Sequence, residues 1–394
     1  MIVKSRPRIL LVTRNLPPLV GGMERLNWHI ADELSRHAEV RIIGPIGSTA
    51  ASPAQVCLTE VPLRPLWRFL ATSALQAMQV AHRFKPDIVL AGSGLTAPAT
   101  LMAARVAKAR ACVYLHGLDA AIQHPVYRTF WHPALRRMDS VIANSTPTAR
   151  LAASLGIKLS NLSIVYPGVR IPDAAQTTLD KHYFRHRHGL GNGRILLSVG
   201  RLTTRKGLLE FVQQALPGIV RAFPDVKLAI VGDAPSDSLH ATIQTQESIQ
   251  RAADGLGIGH HLCFLGTITD PTELACAYEC ATVHVFPVRN IPGDPEGFGM
   301  VAIEAAAHGL PTVAFATGGI VNAVSNDLSG MIVEPGDYDA LTDAVTQVMK
   351  GKKSTWEAGS RAFADSFAWP KFGAQLSKAL QLNIPIGLPG STQR

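Results

Sequence analysis

Two carboxylates, Glu296 and Glu304, flank a glycine-rich turn that opens an apolar stretch, Glu296-Gly-Phe-Gly-Met-Val-Ala-Ile-Glu304. Such a turn suits a ligand that carries both an anion and hydroxyl groups. Gly297 and Gly299 let the backbone come close to that ligand. The amides of Phe298, Gly299 and Met300 would start a helix without intrahelical partners, at its positive dipole end. Glu296, ahead of the turn, can then accept from sugar hydroxyls. Glu304, about five residues into the helix and so roughly 7 Å deeper, is placed to accept from a ribose. Upstream, Ile195-Leu-Leu-Ser-Val-Gly200 reads as a buried strand that delivers Arg201 and Lys206 at its carboxyl end, where open α/β sheets bind ligands. A planar guanidinium and a compact ammonium together suit a diphosphate whose charge grows as a bond to it breaks. A second glycine turn, Thr317-Gly318-Gly319, follows an expected strand at 311–316. Taken singly, each of these groups reads as an ordinary surface residue; their convergence is what points to a site.

The elements that must position them alternate short apolar runs with helical stretches. Strands are expected at 8–13, 40–43, 87–91, 111–115, 140–143 and 162–165, with helices near 23–37, 66–84 and 97–109. A polar, turn-rich connector covers 172–194, and strands then recur at 195–199, 227–231, 262–265, 283–286, 312–315 and 331–333. A helical stretch at 355–382 and a loose tail from Ile384 end the chain. The pattern is that of an α/β protein with two Rossmann-like, doubly wound parallel-sheet domains. The 394 residues, 47% hydrophobic and 17% charged, are enough for two such cores and exclude a disordered chain.

At this point the residues resemble the group 1, family 4 retaining glycosyltransferases of GT-B fold. The resemblance runs through Leu16-Pro-Pro-Leu-Val-Gly-Gly22, His116-Gly-Leu-Asp119, Ala143-Asn-Ser145, Val165-Tyr-Pro-Gly-Val169, Gly200-Arg-Leu, Arg205-Lys-Gly207 and Pro295-Glu-Gly-Phe-Gly with Glu304. It implies two domains facing a central cleft: residues 1–180 for the acceptor, with a C-terminal helix at about 370–384 packing back on them, and 190–369 for the nucleotide sugar. On the donor side it places Arg201 and Lys206 on the diphosphate, Glu304 on the ribose, and Glu296 with the Phe298, Gly299 and Met300 amides around the sugar. The base is expected near the loop after Val231 and the segment 265–268. In the first domain it places the Gly21-Gly22 turn near the diphosphate or acceptor, and His116 and Asp119 near the reacting sugar. His116, Arg201, Lys206 and Glu296 are the expected catalytic set. His116 is read as orienting the sugar, with the departing phosphate taking the acceptor's proton on the same face; a double displacement on Asp119 or Glu296 is the other reading.

The implied reaction moves a hexose from a GDP- or UDP-linked donor to a glycan or lipid-linked glycan of a cell envelope, lipopolysaccharide or exopolysaccharide. Phe286-Pro-Val-Arg289 ahead of a Pro-Gly-rich loop favours GDP-mannose. No cofactor and no metal are expected. A nucleotide-sugar epimerase or hydrolase of the same fold, and a non-catalytic sugar-nucleotide binder, are the other classes. The sensor reading has no need of His116 or Glu296, which are both present.

Charge bears on the partners. Residues 1–180 hold 20 Lys and Arg against 10 Asp and Glu, whereas 181–394 hold 18 against 19. An anionic partner is therefore expected at the N-terminal part. Arg64-Pro-Leu-Trp-Arg-Phe-Leu70 and Ala104-Arg-Val-Ala-Lys-Ala-Arg110 mix cations with apolar residues, as an interfacial helix on anionic lipid does, or as a solvated helix with a core-facing Trp does. No basic recognition helix or zinc knuckle points to nucleic acid. The start of the chain lacks an apolar signal region and no run of about 18 apolar residues spans a membrane, so a cytoplasmic protein is expected, with peripheral contact at the inner membrane face as the open question. Three decoys are set aside. Asp337-Tyr-Asp339 follows Pro-Gly and reads as a helix cap, His182, His186 and His188 lie in the connector beside no carboxylate or Cys, and Gly189-Leu-Gly-Asn-Gly193 lacks a preceding strand. The five cysteines read as reduced core thiols.

Overall fold

The computed structural model describes residues 6–172, 181–234 and 243–382, which form two compact units. The first draws on residues up to Asn144, on 149–166 and on those from Trp369; the second on 145–148 and 167–368.

In the first unit, seven parallel strands form one sheet: β1 (Arg8–Val12), β2 (Glu39–Pro45), β3 (Cys57–Val61), β4 (Ile88–Ala91), β5 (Arg110–Leu115), β6 (Ser140–Ala143) and β7 (Leu162–Ile164), in the order β3-β2-β1-β4-β5-β6-β7. The central strands are apolar throughout because helices cover both faces. Alternation along β1 sends Ile9 and Leu11 to one core with Leu26, Tyr114, Phe372 and Leu376. Leu10 and Val12 go to the other, with Phe69, Ala77 and Ala103. The helices Gly22–Ser35 and Trp369–Ala379 supply the first core, and Leu66–Phe84 and Ala97–Ala107 the second. Edge strand β3 is not among the expected strands, since only Val61 of its five residues is buried and no apolar run marks it. Glu60 on β3 accepts from the Gly47 and Thr49 amides and the Thr49 hydroxyl, which ties the edge to the preceding turn.

The second unit has six parallel strands: β8 (Ile195–Val199), β9 (Lys227–Val231), β10 (Leu262–Gly266), β11 (Val283–Phe286), β12 (Thr312–Phe315) and β13 (Gly330–Val333), in the order β10-β9-β8-β11-β12-β13. One face packs Leu196, Leu228 and Val285 against Phe211 and Val345; the other packs Leu197 and Ala229 against Tyr278 and Ala305. Strand order reverses between β1 and β4 in the first sheet and between β8 and β11 in the second. Open sheets form a ligand crevice at such points, beyond the carboxyl strand ends.

Two expectations change. Within the connector, the stretch with the three histidines, expected as a solvated helix, is a helix over Lys181–Arg187 that is not wholly solvated: Phe184, and Leu190 after it, are buried in the second unit's core. The helical stretch expected at 355–382 is two helices, Lys353–Asp365 and Trp369–Ala379. Pro370 lacks the N–H that a continuous helix would require, and at the break the Phe367 carbonyl accepts from the Val169 amide at 2.8 Å. The tail from Ile384 lies outside the described residues. Among the described residues no helix is long and apolar enough to cross a membrane.

Candidate functional site

In the second unit the candidate residues gather beyond β8 and β11, at the reversal of strand order. The turn Thr204–Lys206 after β8 brings Lys206 Nζ to 2.8 Å from Glu296 Oε2, and the Arg205 guanidinium pairs with the same oxygen. Arg205 also lies 3.3 Å from Asp294. Lys206 Nζ stands 4.7 Å from the centre of the Phe286 ring, at the end of β11. Burial alone would raise the Glu296 carboxyl, but Arg205 and then Lys206 overcome that and hold it at about 2. Burial pushes the Lys206 ammonium down, with Glu296 opposing. Arg201 is exposed and adds its charge to the same cluster. Nearby His284, fully buried, is pushed down to about 3 by burial and then by Lys206, so it is neutral.

The glycine turns hold this cluster in shape. Gly299, at φ 97°, starts the helix Met300–Ala307, a backbone state that side-chain-bearing residues avoid. The Gly319 amide donates to the Glu296 carbonyl at 2.8 Å. A Cβ on Gly319 would collide with the Gly297 carbonyl and stand 2.5 Å from Phe298 Cα. The second glycine turn is thus the seat on which the first one lies. Phe298 is buried and packs on Phe367, so it is the backbone of this segment that remains for a ligand. Glu304 accepts from the Tyr278 hydroxyl at 3.1 Å, and the Tyr278 ring stacks on His308.

In the first unit, His116 follows β5, and its Nε2 lies 3.1 Å from the Gly92 carbonyl at the end of β4. Asp119 is buried and accepts from the His116 amide at 3.0 Å and from the Gly94 amide. Burial raises its carboxyl, with His116 and the two amides opposing. The Asp119 side chain is therefore engaged in holding the loops after β4 and β5. At the Gly21-Gly22 turn, Asn15 donates to the Glu24 carboxylate at 2.7 Å, and a Cβ on Gly21 would collide with that carboxylate. The helix start expected to face an anion thus already carries an acid in its first turn.

Arg205, Asp294 and Tyr278 were not among the expected site residues. Arg205 adjoins Lys206 and could have been weighed with it. Nothing in the spacing signals Tyr278, which meets Glu304 only through the packing of two helices. The connector histidines need a correction: His188 is not remote from acids and thiols, since its Nε2 lies 3.2 Å from Glu273 and its carbonyl accepts from the Cys263 thiol. Among the described residues no three His, Cys, Asp or Glu side chains group as metal ligands would. Asp337 caps the helix Tyr338–Lys350, accepting from the Ala340 amide at 2.8 Å. Of the expected base-binding segments, the loop after Val231 lies outside the described residues over 235–242. In the other, Thr267 donates to Asp233 at 2.7 Å.

Comparison with known proteins gives the family. Residues 180–364 match the family model for glycosyl transferases group 1, and residues 20–171 that for glycosyltransferase family 4. A GDP-mannose-dependent alpha-(1-6)-phosphatidylinositol monomannoside mannosyltransferase of Mycolicibacterium smegmatis is 31% identical over 394 aligned residues, covering 94% of this chain and 98% of the relative. The chain belongs to the group 1, family 4 glycosyltransferases. Solved structures bear out the GT-B fold of this glycosyltransferase: Anabaena HepE in complex with UDP superposes with a TM-score of 0.76 at 19% identity, over 95% of this chain and 99% of that one. WaaG, a glycosyltransferase involved in lipopolysaccharide biosynthesis, gives a TM-score of 0.66 at 16% identity, over 95% and 99%. A D-inositol 3-phosphate glycosyltransferase of Geodermatophilus obscurus is 33% identical over 241 residues, 59% of this chain and 50% of the relative.

Proposed function

We propose that the protein is a retaining mannosyltransferase that moves mannose from GDP-mannose to a lipid-linked glycan of the cell envelope. The full-length similarity to the GDP-mannose-dependent mannosyltransferase carries the choice of sugar and acceptor class. The second unit takes the donor. Arg201 and Lys206 hold its diphosphate, Glu304 accepts from the ribose, and the amides from Phe298 to Met300 with Glu296 surround the sugar. Glu296 partly neutralises Arg205 and Lys206, both of which reach its Oε2. A bound diphosphate supplies more charge and more acceptors, draws Lys206 to itself, and leaves Glu296 to the sugar hydroxyls, with Arg205 still holding it in place.

The bond that breaks joins the sugar's anomeric carbon to the diphosphate. Negative charge grows on that diphosphate, and the cations stabilise it more in the transition state than in the ground state. The departing phosphate takes the proton from the acceptor hydroxyl, and the cations do the charge neutralisation for which a metal would otherwise be needed. The first unit takes the acceptor, with His116 orienting the sugar and Asp119 positioning the loop that carries His116. The segment around Trp67 rests on lipid: Trp67 is 71% exposed, among Arg64 and Arg68.

Product analysis tests this reading. Incubation with GDP-mannose and a phosphatidylinositol mannoside acceptor is expected to give an α-linked mannoside, with UDP-glucose inert and chelator without effect. A β-linked product, or transfer from UDP-glucose alone, would overturn it.

A further inference from the structure

The first unit contains an open cavity of ≈ 630 Å³, and none of the candidate residues above lines it. One wall is a stripe of the helix Pro125–Arg136: Arg128, His132 and Arg136 recur every fourth residue and so share a face. Ser154 and Leu155 also line it, as does Gln123, which comes after the short helix Gly117–Ala121 that follows His116. No carboxylate lines the cavity, so its two guanidiniums meet no acid in its walls.

His132 adds a second, independent sign. It is only 5% exposed, its ring is hydrogen-bonded to the Ile122 backbone, and its Nε2 is buried without a hydrogen-bond partner. A buried polar nitrogen left unpaired is costly. Burial first, then Arg136 and Arg128, push the imidazole pKa down, so both guanidiniums lie within electrostatic reach of the ring. An anion seated between the arginines would cancel their field at the ring. The imidazole then takes up a proton more readily and adds its charge to theirs. Guanidinium forks match the several acceptor oxygens of a phosphoryl group better than the two of a carboxylate.

We infer that this cavity between the helix Pro125–Arg136 and the segment at Ser154–Leu155 is a phosphoryl-binding site, and that it holds the phosphate of the acceptor. The assignment to the acceptor rests on the reading of the first unit given above; the binding of phosphate does not. The phosphoryl group comes either from a soluble sugar or polyol phosphate or from a lipid headgroup.

The test keeps GDP saturating, so that the basic cluster of the second unit is filled, and titrates the full chain with inorganic phosphate by calorimetry. A parallel arm measures sedimentation with phosphatidylcholine vesicles, with and without phosphatidylinositol. The main variant is Arg128→Gln, since Arg136 Nε also donates to the Leu155 carbonyl at 2.8 Å and its loss would disturb the fold. Arg137→Gln removes the same charge outside the cavity, and thermal melting checks that both variants are folded. Arg128→Gln is expected to weaken phosphate binding, or vesicle binding that requires phosphatidylinositol, by about tenfold or more, the loss of one charge-assisted contact. Arg137→Gln is expected to bind as the wild type does. An effect in the phosphate arm alone identifies a soluble source, and one that appears in the vesicle arm, with or without the other, identifies a headgroup. If neither arm responds to Arg128→Gln more than to Arg137→Gln, the site is overturned. GDP that fails to bind contradicts the donor reading instead, and the two arms are then read without it.

Discussion

Three side chains, Arg205, Lys206 and Glu296, set the electrostatics of the proposed donor site, and each can be removed singly. Lys206→Ala or Arg201→Ala is expected to lower turnover at saturating donor by about 10²-fold or more, as the loss of one oxyanion donor does; steady-state kinetics check this, and near-normal turnover in both variants contradicts the roles given to them. Glu296→Gln leaves the partly buried Lys206 without its acid and Arg205 with Asp294 alone, and is expected to cost about 3 kcal/mol at neutral pH, read from denaturant melts. The folded value of Glu296, about 2, lies below its ordinary 4.5, so its stabilising pairs are complete above about 4.5 and disappear as pH falls toward 2. The stability gap between wild type and Glu296→Gln should therefore close across that window; a gap that persists at pH 2 contradicts the pairing. The approach of Lys206 to Glu296 was legible in the sequence because both lie beside glycine turns that follow expected strands. Tyr278 was not, since its contact with Glu304 arises from tertiary packing alone.

Elements place these side chains through close backbone approach rather than through side-chain bulk. The turn Thr317-Gly318-Gly319 lies directly against Glu296-Gly-Phe, so Gly319→Ala is expected to push the donor turn outward, at about 1–3 kcal/mol of overpacking, and to raise the donor KM. Gly255, at the end of the helix Gln246–Gly255, is the control: an added Cβ meets nothing within 4 Å, so Gly255→Ala should leave the donor KM unchanged and gain up to about 1 kcal/mol. Equal effects of the two substitutions on KM contradict the seating of one turn on the other. The buried strands were legible because parallel strands covered on both faces are unbroken apolar runs. Edge strand β3 was not, because its side chains are mostly solvated, and the break at 366–368 was masked by helical patterning on both sides of Pro370.

For the whole molecule, sequence comparison and fold agree on a family 4 glycosyltransferase, and the surplus of positive charge in residues 1–180 was readable by counting. That count does not say how the cations are arranged; Arg128 and Arg136 are themselves exposed, and the structure sets both in the wall of one cavity. Vesicle binding is expected to weaken severalfold in Trp67→Ala and to fall with rising salt, because the contact combines apolar insertion with screened attraction to anionic lipid; flotation assays that show neither effect contradict the lipid contact. The central claim is that the second unit grips its donor by the diphosphate, and calorimetric titration of GDP and GMP against wild type and Lys206→Ala tests it most directly. The account predicts that wild type binds GDP well above GMP and that Lys206→Ala loses at least about tenfold in GDP affinity while GMP is little changed; equal affinities for the two nucleotides, or a variant that binds GDP as wild type does, would contradict it.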